Sequence, residues 1–373
     1  IEPSPSRVEP PCEYFGLCGG CAVQHLSYEA QVAFKENVLK EAFSRIASVE
    51  PDLWLPPILG PEWNYRRRAR LGVRYVKGKG RVLVGFKERA TRYVTDMGSC
   101  RVLVEPLDVF PGVLSEVISE SSLHSRLPQA ELVAGEDALA IVLRVLEEPT
   151  KKDIALFSDI SSKWQTDIYL QRGGPGSILA LNPETTRQLS YSLDDFELIL
   201  HFNPIDFIQV NATVNVGLVR QVLNLLQVQP TDRVLDLYCG LGNFSLPLAR
   251  HASKVLGIEG DAGLVSRAAN NARLNRLDNT SFMVCDLNQS EWQFMNESWD
   301  IVLLDPPRSG AQSIIQQMSS VTPRRIAYVS CHPATLARDT KELIAQGYHM
   351  TAAGIADMFP HTHHVEAIAI FER

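Results

Sequence analysis

The chain of 373 residues is 45% hydrophobic and 21% charged, the composition of an ordinary globular protein of two or three domains. No apolar run approaches the roughly 18 residues that a membrane-spanning helix needs, so we expect no membrane partner. The number of cysteines, seven, is odd, and their spacing suits metal binding and catalysis better than a secreted disulfide framework. The sequence therefore predicts a cytoplasmic protein.

Positive charge is concentrated in one stretch of a chain whose net charge is −7. Residues 65–92 contain eleven basic residues and one acid, which gives +10 there and leaves −17 on the remainder. Such a concentration on an acidic body is typical of a protein that binds a polyanion. A solvated face balanced by counter-ions is the alternative interpretation. We expect Arg66, Arg67, Arg68 and Arg70 to contact the phosphates of a nucleic acid.

Three regions differ in their sequence patterns. Residues 1–55 contain a Pro-rich start, a group of cysteines and a helix predicted from about Ser27, a suitable N-cap, to Ile46. Residues 56–200 form a β-rich basic region in which alternating strands are separated by Gly and Lys turns. In residues 201–373 short apolar strands alternate with helical segments, as in βαβ units on a parallel sheet. The predicted fold class is α/β, with a Rossmann-like domain after a β-rich central domain.

A glycine turn follows the first predicted strand of the Rossmann-like region. Residues 234–237 are a predicted buried strand, and residues 238–244, with the sequence YCGLGNF, lead into the next helix. Gly240 and Gly242 allow the backbone to approach a nucleotide-like ligand closely. We interpret Cys239 as a small packing residue rather than a nucleophile.

Two acids follow the next two predicted strands. Glu259 ends the strand at 255–258, where an acid can accept hydrogen bonds from ribose hydroxyls. Asp286 follows the strand at 282–284 and could reach an adenine amino group. A glycine turn followed by two acids at strand ends also fits a nicotinamide enzyme. However, the turn at residues 238–244 lacks the third glycine of the dinucleotide-binding fingerprint. With a later DPP motif that begins at Asp305, the order resembles that of class I S-adenosylmethionine methyltransferases.

Further reactive side chains lie at the ends of predicted strands. The strand at 325–329 leads to Cys331, and the strand at 301–304 leads to Asp305. Side chains at the carboxyl ends of parallel strands point into the crevice where open α/β sheets bind ligands. Glu366 begins an apolar strand, where burial of an unpartnered carboxylate raises its proton affinity and makes it a usable general base.

A thiol and a base together suit methylation at carbon 5 of a pyrimidine. Carbon 5 is too weak a nucleophile to attack a sulfonium methyl group directly, but a thiolate that adds to carbon 6 converts the ring into an enolate. A base must then remove the carbon 5 proton before the thiolate is eliminated. The alternative interpretation is that Cys331 is a buried structural thiol.

Four cysteines near the amino terminus have the spacing of metal ligands. Cys12, Cys18 and Cys21 form a C-x5-C-x2-C pattern, and Cys100 is the next cysteine in the chain. Four thiolates suit zinc or an iron–sulfur cluster, and the spacing alone does not decide between them. A disulfide is the alternative, which a reducing cell disfavours. We expect a structural or docking role, since the loop from Cys21 to Cys100 contains the basic segment.

Four motifs resemble those of the RNA uracil-5-methyltransferases. They are YVSCHPATLARD at 328–339, DFIQVN at 206–211, DPPR at 305–308 and HVE at 364–366. The resemblance runs from about Cys12 to the carboxyl terminus, and it implies that Cys331 is the nucleophile and Glu366 the base. It also implies contacts with S-adenosylmethionine and the target base by the following residues: Gln209, Tyr238, Asn243, Glu259, Asp286 and Asp305.

Within this family the chain most resembles the enzymes that methylate a uridine of bacterial 23S ribosomal RNA. That resemblance implies 23S ribosomal RNA as the partner, S-adenosylmethionine as the methyl donor and a [4Fe–4S] cluster on the four cysteines. Two positions depart from the family pattern: His332 stands where many members have Asn, and Asp286 where close relatives have Asn. Those relatives begin with a small β-barrel RNA-binding domain, the TRAM domain, and the start at Ile1 fits its removal.

Other functions are compatible with parts of this pattern. The same chemistry on transfer RNA or on another ribosomal site would use the same motifs, since specificity lies largely outside them. A cytosine-5 methyltransferase would have a cysteine where Arg308 stands, and an amino-group methyltransferase would not need Cys331. A non-catalytic RNA-binding or assembly protein belongs to a different class, against which Cys331 and Glu366 argue. We expect a monomer, since no coiled coil or obvious pairing helix is present in the sequence.

Overall fold

The computed structural model of the protein describes residues 2–287, 289 and 292–373. Its helices are α1 (Tyr28–Ala42), α2 (Phe110–Glu120), α3 (Lys151–Trp164), α4 (Ala212–Leu226), α5 (Ser245–Ala249), α6 (Ala262–Leu274), α7 (Gln312–Val321) and α8 (Pro333–Ala345). Its strands are β1 (Leu53–Trp54), β2 (Arg68–Val76), β3 (Arg81–Gly85), β4 (Gln129–Ala134), β5 (Leu139–Arg144), β6 (Thr166–Gln171), β7 (Ile178–Ala180), β8 (Leu189–Leu193), β9 (Leu198–Phe202), β10 (Arg233–Leu237), β11 (Lys254–Glu259), β12 (Thr280–Val284), β13 (Ile301–Leu304), β14 (Arg325–Ser330), β15 (His349–Ala356) and β16 (Glu366–Glu372). Among the helices of these ranges, none combines the length and the apolar character that a membrane span requires.

The helix predicted near the amino terminus is present and begins as expected. Ser27 is the N-cap of α1, and its Oγ accepts a hydrogen bond from the backbone N–H of Ala30 at 3.4 Å. After Ala42 the helix continues as a single π-helical turn, Phe43–Ala47, rather than as an α-helix to Ile46. The buried face of α1 packs against α8 and β15, so this helix covers part of the larger sheet.

The larger sheet has eight strands in the order β1-β15-β16-β14-β13-β10-β11-β12. Strands β10 to β14 are parallel, which confirms the βαβ pattern predicted from the sequence. Successive residues of β10 face opposite sides: Val234 packs in the cluster that includes α4, whereas Leu235 and Leu237 pack in the cluster that includes α1, α7 and α8. Both faces are covered at β13 and β14, whose residues are apolar over most of their length, whereas the edge strand β12 is largely exposed.

One strand of this sheet, β16, runs against the others. β16 pairs antiparallel with β14 on one side and with β15 on the other, and β1 extends the sheet beyond β15. The prediction of a parallel sheet is therefore incomplete at this end. Since β16 runs in the opposite direction, its first residue, Glu366, lies at the edge where the parallel strands end.

The β-rich central region contains a six-stranded sheet with the order β3-β2-β4-β5-β6-β7. Its pairs are antiparallel except β5 and β6, which are parallel. β2 and β3 match the two strands predicted at 69–75 and 81–86, and α2 packs on them. A separate ribbon of β8 and β9 follows in the chain.

Candidate active site

A cavity of about 710 Å³ lies where the parallel strands of the larger sheet end. The predicted site residues on its wall are Gln209, Tyr238, Gly240, Asn243, Glu259, Asp286, Asp305, Cys331 and Glu366. Gly242 lies off this wall, within the glycine turn, where its φ of +96° is one that glycine adopts readily. Residues that are more than 150 positions apart in the sequence, such as Gln209 and Glu366, thus meet at one cavity.

The glycine turn leaves its backbone open to the cavity. Gly240 has a φ of +56°, and a Cβ atom added there would meet no atom within 4 Å. Its N–H donates a hydrogen bond to Oε2 of Glu259 at 3.2 Å, which places that carboxylate at the end of β11 beside the turn. At Gly242 an added Cβ would lie 3.0 Å from Cγ of Leu246, so the turn packs tightly there. An open backbone beside an acid fits the nucleoside portion of S-adenosylmethionine.

Asn243 is held by a polar network that the sequence analysis did not identify. The hydroxyl of Tyr191 donates to Oδ1 of Asn243 at 3.0 Å. Nδ2 of Asn215 donates to the same oxygen at 2.9 Å, and Nδ2 of Asn243 donates to Oδ1 of Asn215 at 3.0 Å. Tyr191 comes from β8, where an alternating strand pattern carries no signal that one residue reaches the cavity. The network fixes the side chain that follows the glycine turn.

The candidate nucleophile and the candidate base lie on neighbouring antiparallel strands. In the pairing of β14 with β16, Ser330 lies opposite Ala367. Cys331 directly follows Ser330 and Glu366 directly precedes Ala367, so both residues lie at the end of this pairing, and both line the cavity. They are close enough for the charge of Glu366 to raise the pKa of Cys331. A ring bound between them would therefore have the thiol and the carboxyl group within reach.

Burial raises the pKa values of the ionisable side chains in this cavity. Burial raises the pKa of Cys331 to about 11, the nearby Glu366 and Asp305 raise it as well, and Arg308 acts in the opposite direction. Glu366 is 4% exposed, and its burial together with the charge of Asp305 raises its pKa well above the usual value. Burial also raises the pKa of Asp305 to about 7. Burial in this cavity therefore favours a neutral Cys331 thiol and a protonated Glu366.

Arg67 is inside the protein, where it supports the cavity wall. It is 6% exposed, and its Nε donates to the carbonyl oxygen of Gln209 at 2.8 Å. Its backbone N–H donates to the carbonyl oxygen of Val210 at 2.9 Å, and its guanidinium lies 4.6 Å from the ring centre of Tyr191. This burial argues against the predicted contact of Arg67 with RNA phosphates, because its guanidinium instead holds the loop that carries Gln209.

The other predicted phosphate-binding arginines differ in their exposure. Arg68 and Arg70 both pair with the buried Glu131, with N–O distances of 2.9 Å. Arg68 also donates to the carbonyl oxygen of Ile205 at 3.1 Å, and only 15% of its side chain is exposed. The side chain of Arg70 is 67% exposed, and Arg66 is partly exposed. Phosphate binding by Arg66 and Arg70 stays a prediction, whereas the position of Arg68 favours a structural role.

The four amino-terminal cysteines line a second cavity, of about 220 Å³. Its thiols come from Cys12, Cys18, Cys21 and Cys100. The backbone N–H of Gly20 donates to Sγ of Cys18 at 3.3 Å, a bond that stabilises a thiolate. Within the part of the chain that the structure describes, no group of three or more His, Cys, Asp or Glu side chains converges as the ligands of a metal ion would.

Comparisons with known proteins agree with this geometry. Residues 27–373 match the model of a family described as tRNA (Uracil-5-)-methyltransferase. The 23S rRNA (uracil(1939)-C(5))-methyltransferase RlmD of Methylococcus capsulatus is 48% identical over 100% of this chain and 85% of its own length. The protein of the same name from Nitrosococcus oceani is also 48% identical, over 100% of this chain and 84% of its own length.

A solved structure has the same fold over nearly the whole chain. It is that of Pyrococcus abyssi tRNA (uracil-54, C5)-methyltransferase in complex with S-adenosyl-L-homocysteine, with a TM-score of 0.72 and 24% sequence identity. The match covers 95% of this chain and 86% of that one. The α/β methyltransferase fold predicted from the sequence is thereby confirmed. Together with the family match and the 48% identity, this shows that the chain belongs to the tRNA (uracil-5-)-methyltransferase family.

Proposed function

We propose that this protein transfers a methyl group from S-adenosylmethionine to carbon 5 of a uridine in 23S ribosomal RNA, at the position, 1939, that the names of its relatives give. The observation that supports this most directly is the proximity of Cys331 and Glu366 in one cavity, at the end of the pairing of β14 with β16. Their cavity also contains the open glycine turn and the acid that suit S-adenosylmethionine. A thiol and a buried carboxyl group beside a methyl-donor site are the groups that uracil C5 methylation needs.

The residues of the cavity wall support a position for S-adenosylmethionine. Gly240 and Asn243 would lie along the methionine and ribose portions, Glu259 would accept hydrogen bonds from the ribose hydroxyls, and Asp286 would reach the adenine. When bound, S-adenosylmethionine supplies an electrophilic methyl group on a positively charged sulfonium. A positive charge in this cavity favours the thiolate form of Cys331, whose pKa is otherwise raised.

The chemical steps use two side chains. The thiolate of Cys331 adds to carbon 6 of the uracil, and the electron pair released to carbon 5 forms the bond to the methyl group. The bond between that methyl group and the sulfonium sulfur breaks at the same time, and its electron pair stays on the sulfur, which leaves as a neutral thioether. Glu366, whose raised pKa requires that it first release its own proton to solvent, removes the proton from carbon 5 as the carboxylate. The bond between Sγ and carbon 6 then breaks to return the thiolate. The target base must leave its stack to reach both groups, so we expect it to be flipped into the cavity.

Methyl transfer to defined RNAs tests this function. Full-length protein is incubated with S-adenosylmethionine and either a 23S ribosomal RNA fragment that contains uridine 1939 or a transfer RNA. We expect 5-methyluridine, measured by mass spectrometry of nucleosides, in the ribosomal fragment alone. Methylation of the transfer RNA instead would show that transfer RNA is the substrate. Binding of both RNAs without methylation would contradict the proposed methyltransferase activity.

Arg67 is proposed as a positioning residue for this reaction. Replacing it by glutamine should lower kcat/KM about 10- to 100-fold, because a hydrogen bond from a charged group contributes about 1.5–3 kcal/mol. The loss should include weaker binding of S-adenosylmethionine, since Arg67 contacts both Tyr191 and the Gln209 loop. Isothermal titration measures this affinity.

Arg70, three residues further along the chain on β2, provides the matched control. Its side chain is mostly exposed, so Arg70→Gln should leave the affinity for S-adenosylmethionine unchanged. Arg67→Lys, which keeps the positive charge but loses the planar guanidinium group, should weaken binding of S-adenosylmethionine to an intermediate extent. Equal affinities in the Arg67→Gln and Arg70→Gln variants would contradict the positioning role.

We further propose that the four cysteines bind a [4Fe–4S] cluster with a structural role. Support comes from the shared cavity, from the hydrogen bond to Sγ of Cys18 and from apolar neighbours such as Phe86 and Met97. Methyl transfer involves no change of oxidation state, so no reaction step passes through the cluster. The segment that follows Cys21 is tied to the loop before Glu366, because the N–H groups of residues 22 and 23 both donate to the carbonyl oxygen of His361.

Removal of two ligands tests the cluster. The Cys18→Ser, Cys100→Ser double variant, purified without oxygen, should lose its iron and sulfide and the visible absorption of the cluster. Its Tm should fall by at least about 5 °C, since binding of a structural metal contributes folding free energy. Cys285→Ser, which changes a cysteine far from this cavity in the chain, is the control and should retain its iron. Wild-type protein that contains zinc or no metal would reject the iron–sulfur assignment.

A further inference from the structure

The loop that follows β3 forms a small, well-defined projection. This tip loop, residues 87–94, closes on itself through a bridge between Lys87 and Val94 and a hydrogen bond from the N–H of Glu88 to the carbonyl oxygen of Tyr93 at 2.9 Å. The hydroxyl of Thr91 accepts a hydrogen bond from the N–H of Tyr93 at 3.0 Å and donates to the carboxylate of Glu88 at 3.3 Å. These bonds give the side chains of the tip loop a defined arrangement.

The cysteine segment holds the base of the tip loop. The N–H of Gly19 donates to the carbonyl oxygen of Lys87, and the N–H of Arg89 donates to the carbonyl oxygen of Leu17, both at 2.8 Å. A Cβ atom at Gly19 would lie 2.9 Å from the Lys87 carbonyl oxygen, so a glycine is needed for this approach. The tip loop is therefore attached to the element that carries Cys18 and Cys21.

Three cations of the tip loop are directed to solvent. Lys87, Arg89 and Arg92 are exposed, and within the described ranges their side chains take part in none of the ion pairs or hydrogen bonds. The nearby Lys79 and Arg81 differ, because both pair with Asp96. With Glu88 as its one acid, the tip loop has a net charge of +2. Unpaired cations on a protein of net charge −7 favour a polyanionic partner.

An exposed aromatic ring lies beside these cations. Tyr93 is 63% exposed, more than most of the large hydrophobic residues on the surface. In the described part of the chain its ring stacks on no other aromatic side chain and no cation lies over it. An exposed ring among cations is the arrangement that binds unpaired nucleotides, since the ring stacks on a base while the cations bind phosphates.

The tip loop and the active-site cavity border the same region of the surface. Phe86, next to the tip loop, lines the cysteine cavity, and so does His364. Nδ1 of His364 lies 3.3 Å from Nη2 of Arg308, which lines the active-site cavity. An RNA whose target base enters the active-site cavity can therefore continue across the cysteine segment to the tip loop.

We propose that the tip loop is a second contact site for the RNA substrate, an inference that rests on the proposed function. Lys87, Arg89 and Arg92 bind phosphates, and Tyr93 stacks on an unpaired base outside the target position. The partner is folded RNA with at least one unstacked nucleotide near the target, since a continuous duplex offers no free base face. Anchoring of the tip loop also gives the cysteine segment a role in RNA docking.

Affinity measured over a range of salt concentrations tests the phosphate contacts. The variant Lys87→Gln, Arg89→Gln, Arg92→Gln should bind the 23S fragment at least about tenfold more weakly at low salt, and the slope of log K against log salt should decrease by about 2 to 3. Arg144→Gln, Lys151→Gln, Lys152→Gln removes three exposed cations elsewhere and should leave both quantities unchanged. An unchanged slope in the tip variant would overturn the proposal.

Variants of Tyr93 test the stacking on a base separately from the phosphate contacts of the cations. Tyr93→Ala should weaken binding of the fragment about 5- to 100-fold with little change in salt slope, and Tyr93→Phe should bind like the wild type. Equal affinities of the alanine variant and the wild type would remove the stacking role. Binding of S-adenosylmethionine, measured in parallel, should be the same in all these variants, which shows that each is folded.

Two further outcomes distinguish this proposal from the proposed function. RNA binding that depends on the tip loop, without methyl transfer by the wild type, would support the tip loop contact and reject the enzyme. Unchanged affinity for naked RNA, with reduced methylation of a ribosomal particle, would assign the tip loop to a ribosomal protein and overturn its assignment to RNA.

Discussion

Replacing Cys331 by alanine is expected to lower the single-turnover rate of methyl transfer by at least about 10⁴-fold, the scale of loss when a covalent nucleophile is removed. Without the thiolate of Cys331, which directly follows β14 and lies near Glu366, carbon 5 of the uracil keeps its low nucleophilicity. The measurement is incorporation of the methyl group into the 23S fragment with enzyme in excess. Binding of the fragment should persist, because the thiol contributes little to the RNA surface.

RNA with 5-fluorouridine at the target position tests the same thiol directly. Fluorine is not removed as the carbon 5 proton is, so wild-type protein should remain covalently joined to the RNA, on the peptide that contains Cys331. The Cys331→Ala variant should form no adduct, whereas Cys285→Ala, which changes another thiol on the wall of the cavity, should still form it on Cys331. An adduct in the Cys331→Ala variant, or on another cysteine, would reject the mechanism.

The pH dependence of adduct formation should reflect the environment of this thiol. Burial raises the pKa of Cys331 to about 11, and the reactive form is the thiolate. Deprotonation therefore limits the reaction at neutral pH, and the rate should rise with pH until the thiol is ionised. The bound sulfonium and Arg308 both lower this pKa, so the profile with S-adenosylmethionine should reach its plateau at a lower pH than burial alone would give.

The strand ends of the candidate site could be predicted from the sequence because one rule places them. Asp305 and Cys331 each follow a short apolar run, and the carboxyl ends of parallel strands in an open sheet meet at one crevice. The same rule does not place Glu366. Its position depends on β16 running antiparallel between β14 and β15, which an apolar strand pattern does not reveal. The motif resemblance, rather than the strand pattern, connected Glu366 with Cys331.

The arginines show why charge density predicts a surface poorly. Arg67 and Arg68 lie in the most basic stretch of the chain, but the residues that neutralise or bury them, Glu131 and Tyr191, are more than 60 positions away in the sequence. Lys87, Arg89 and Arg92, in the same stretch, meet no such partner in the described part of the chain. Only tertiary contacts separate the two groups, so the sequence could predict a basic stretch but not which of its side chains are exposed.

Replacing Glu366 by glutamine is expected to stop the reaction after the methyl group has been transferred. An amide cannot take the carbon 5 proton, and loss of a general base slows its step by about 10²- to 10⁴-fold. Methylated RNA should therefore remain covalently attached to the protein even with ordinary uridine at the target, as a slow band on a denaturing gel. Glu372→Gln, at the other end of the same strand and paired with Arg325, is the control and should release its product.

The stability of this variant distinguishes a lost base from a damaged fold. Burial and the charge of Asp305 raise the pKa of Glu366 in the folded protein, so the folded state binds this proton more tightly than the unfolded state does. The resulting stability is complete below the unfolded pKa of about 4.3 and is lost as the pH rises through the raised folded value. Glutamine does not ionise, so at pH 8 the Tm of Glu366→Gln should equal or exceed that of the wild type, while the two should be similar near pH 4. A lower Tm at pH 8, or release of product at the wild-type rate, would contradict the role of Glu366 as base. Trapped product in a protein of equal or higher Tm cannot result from unfolding, and would mean that a buried carboxyl group is kept in this cavity for proton transfer at a cost in stability.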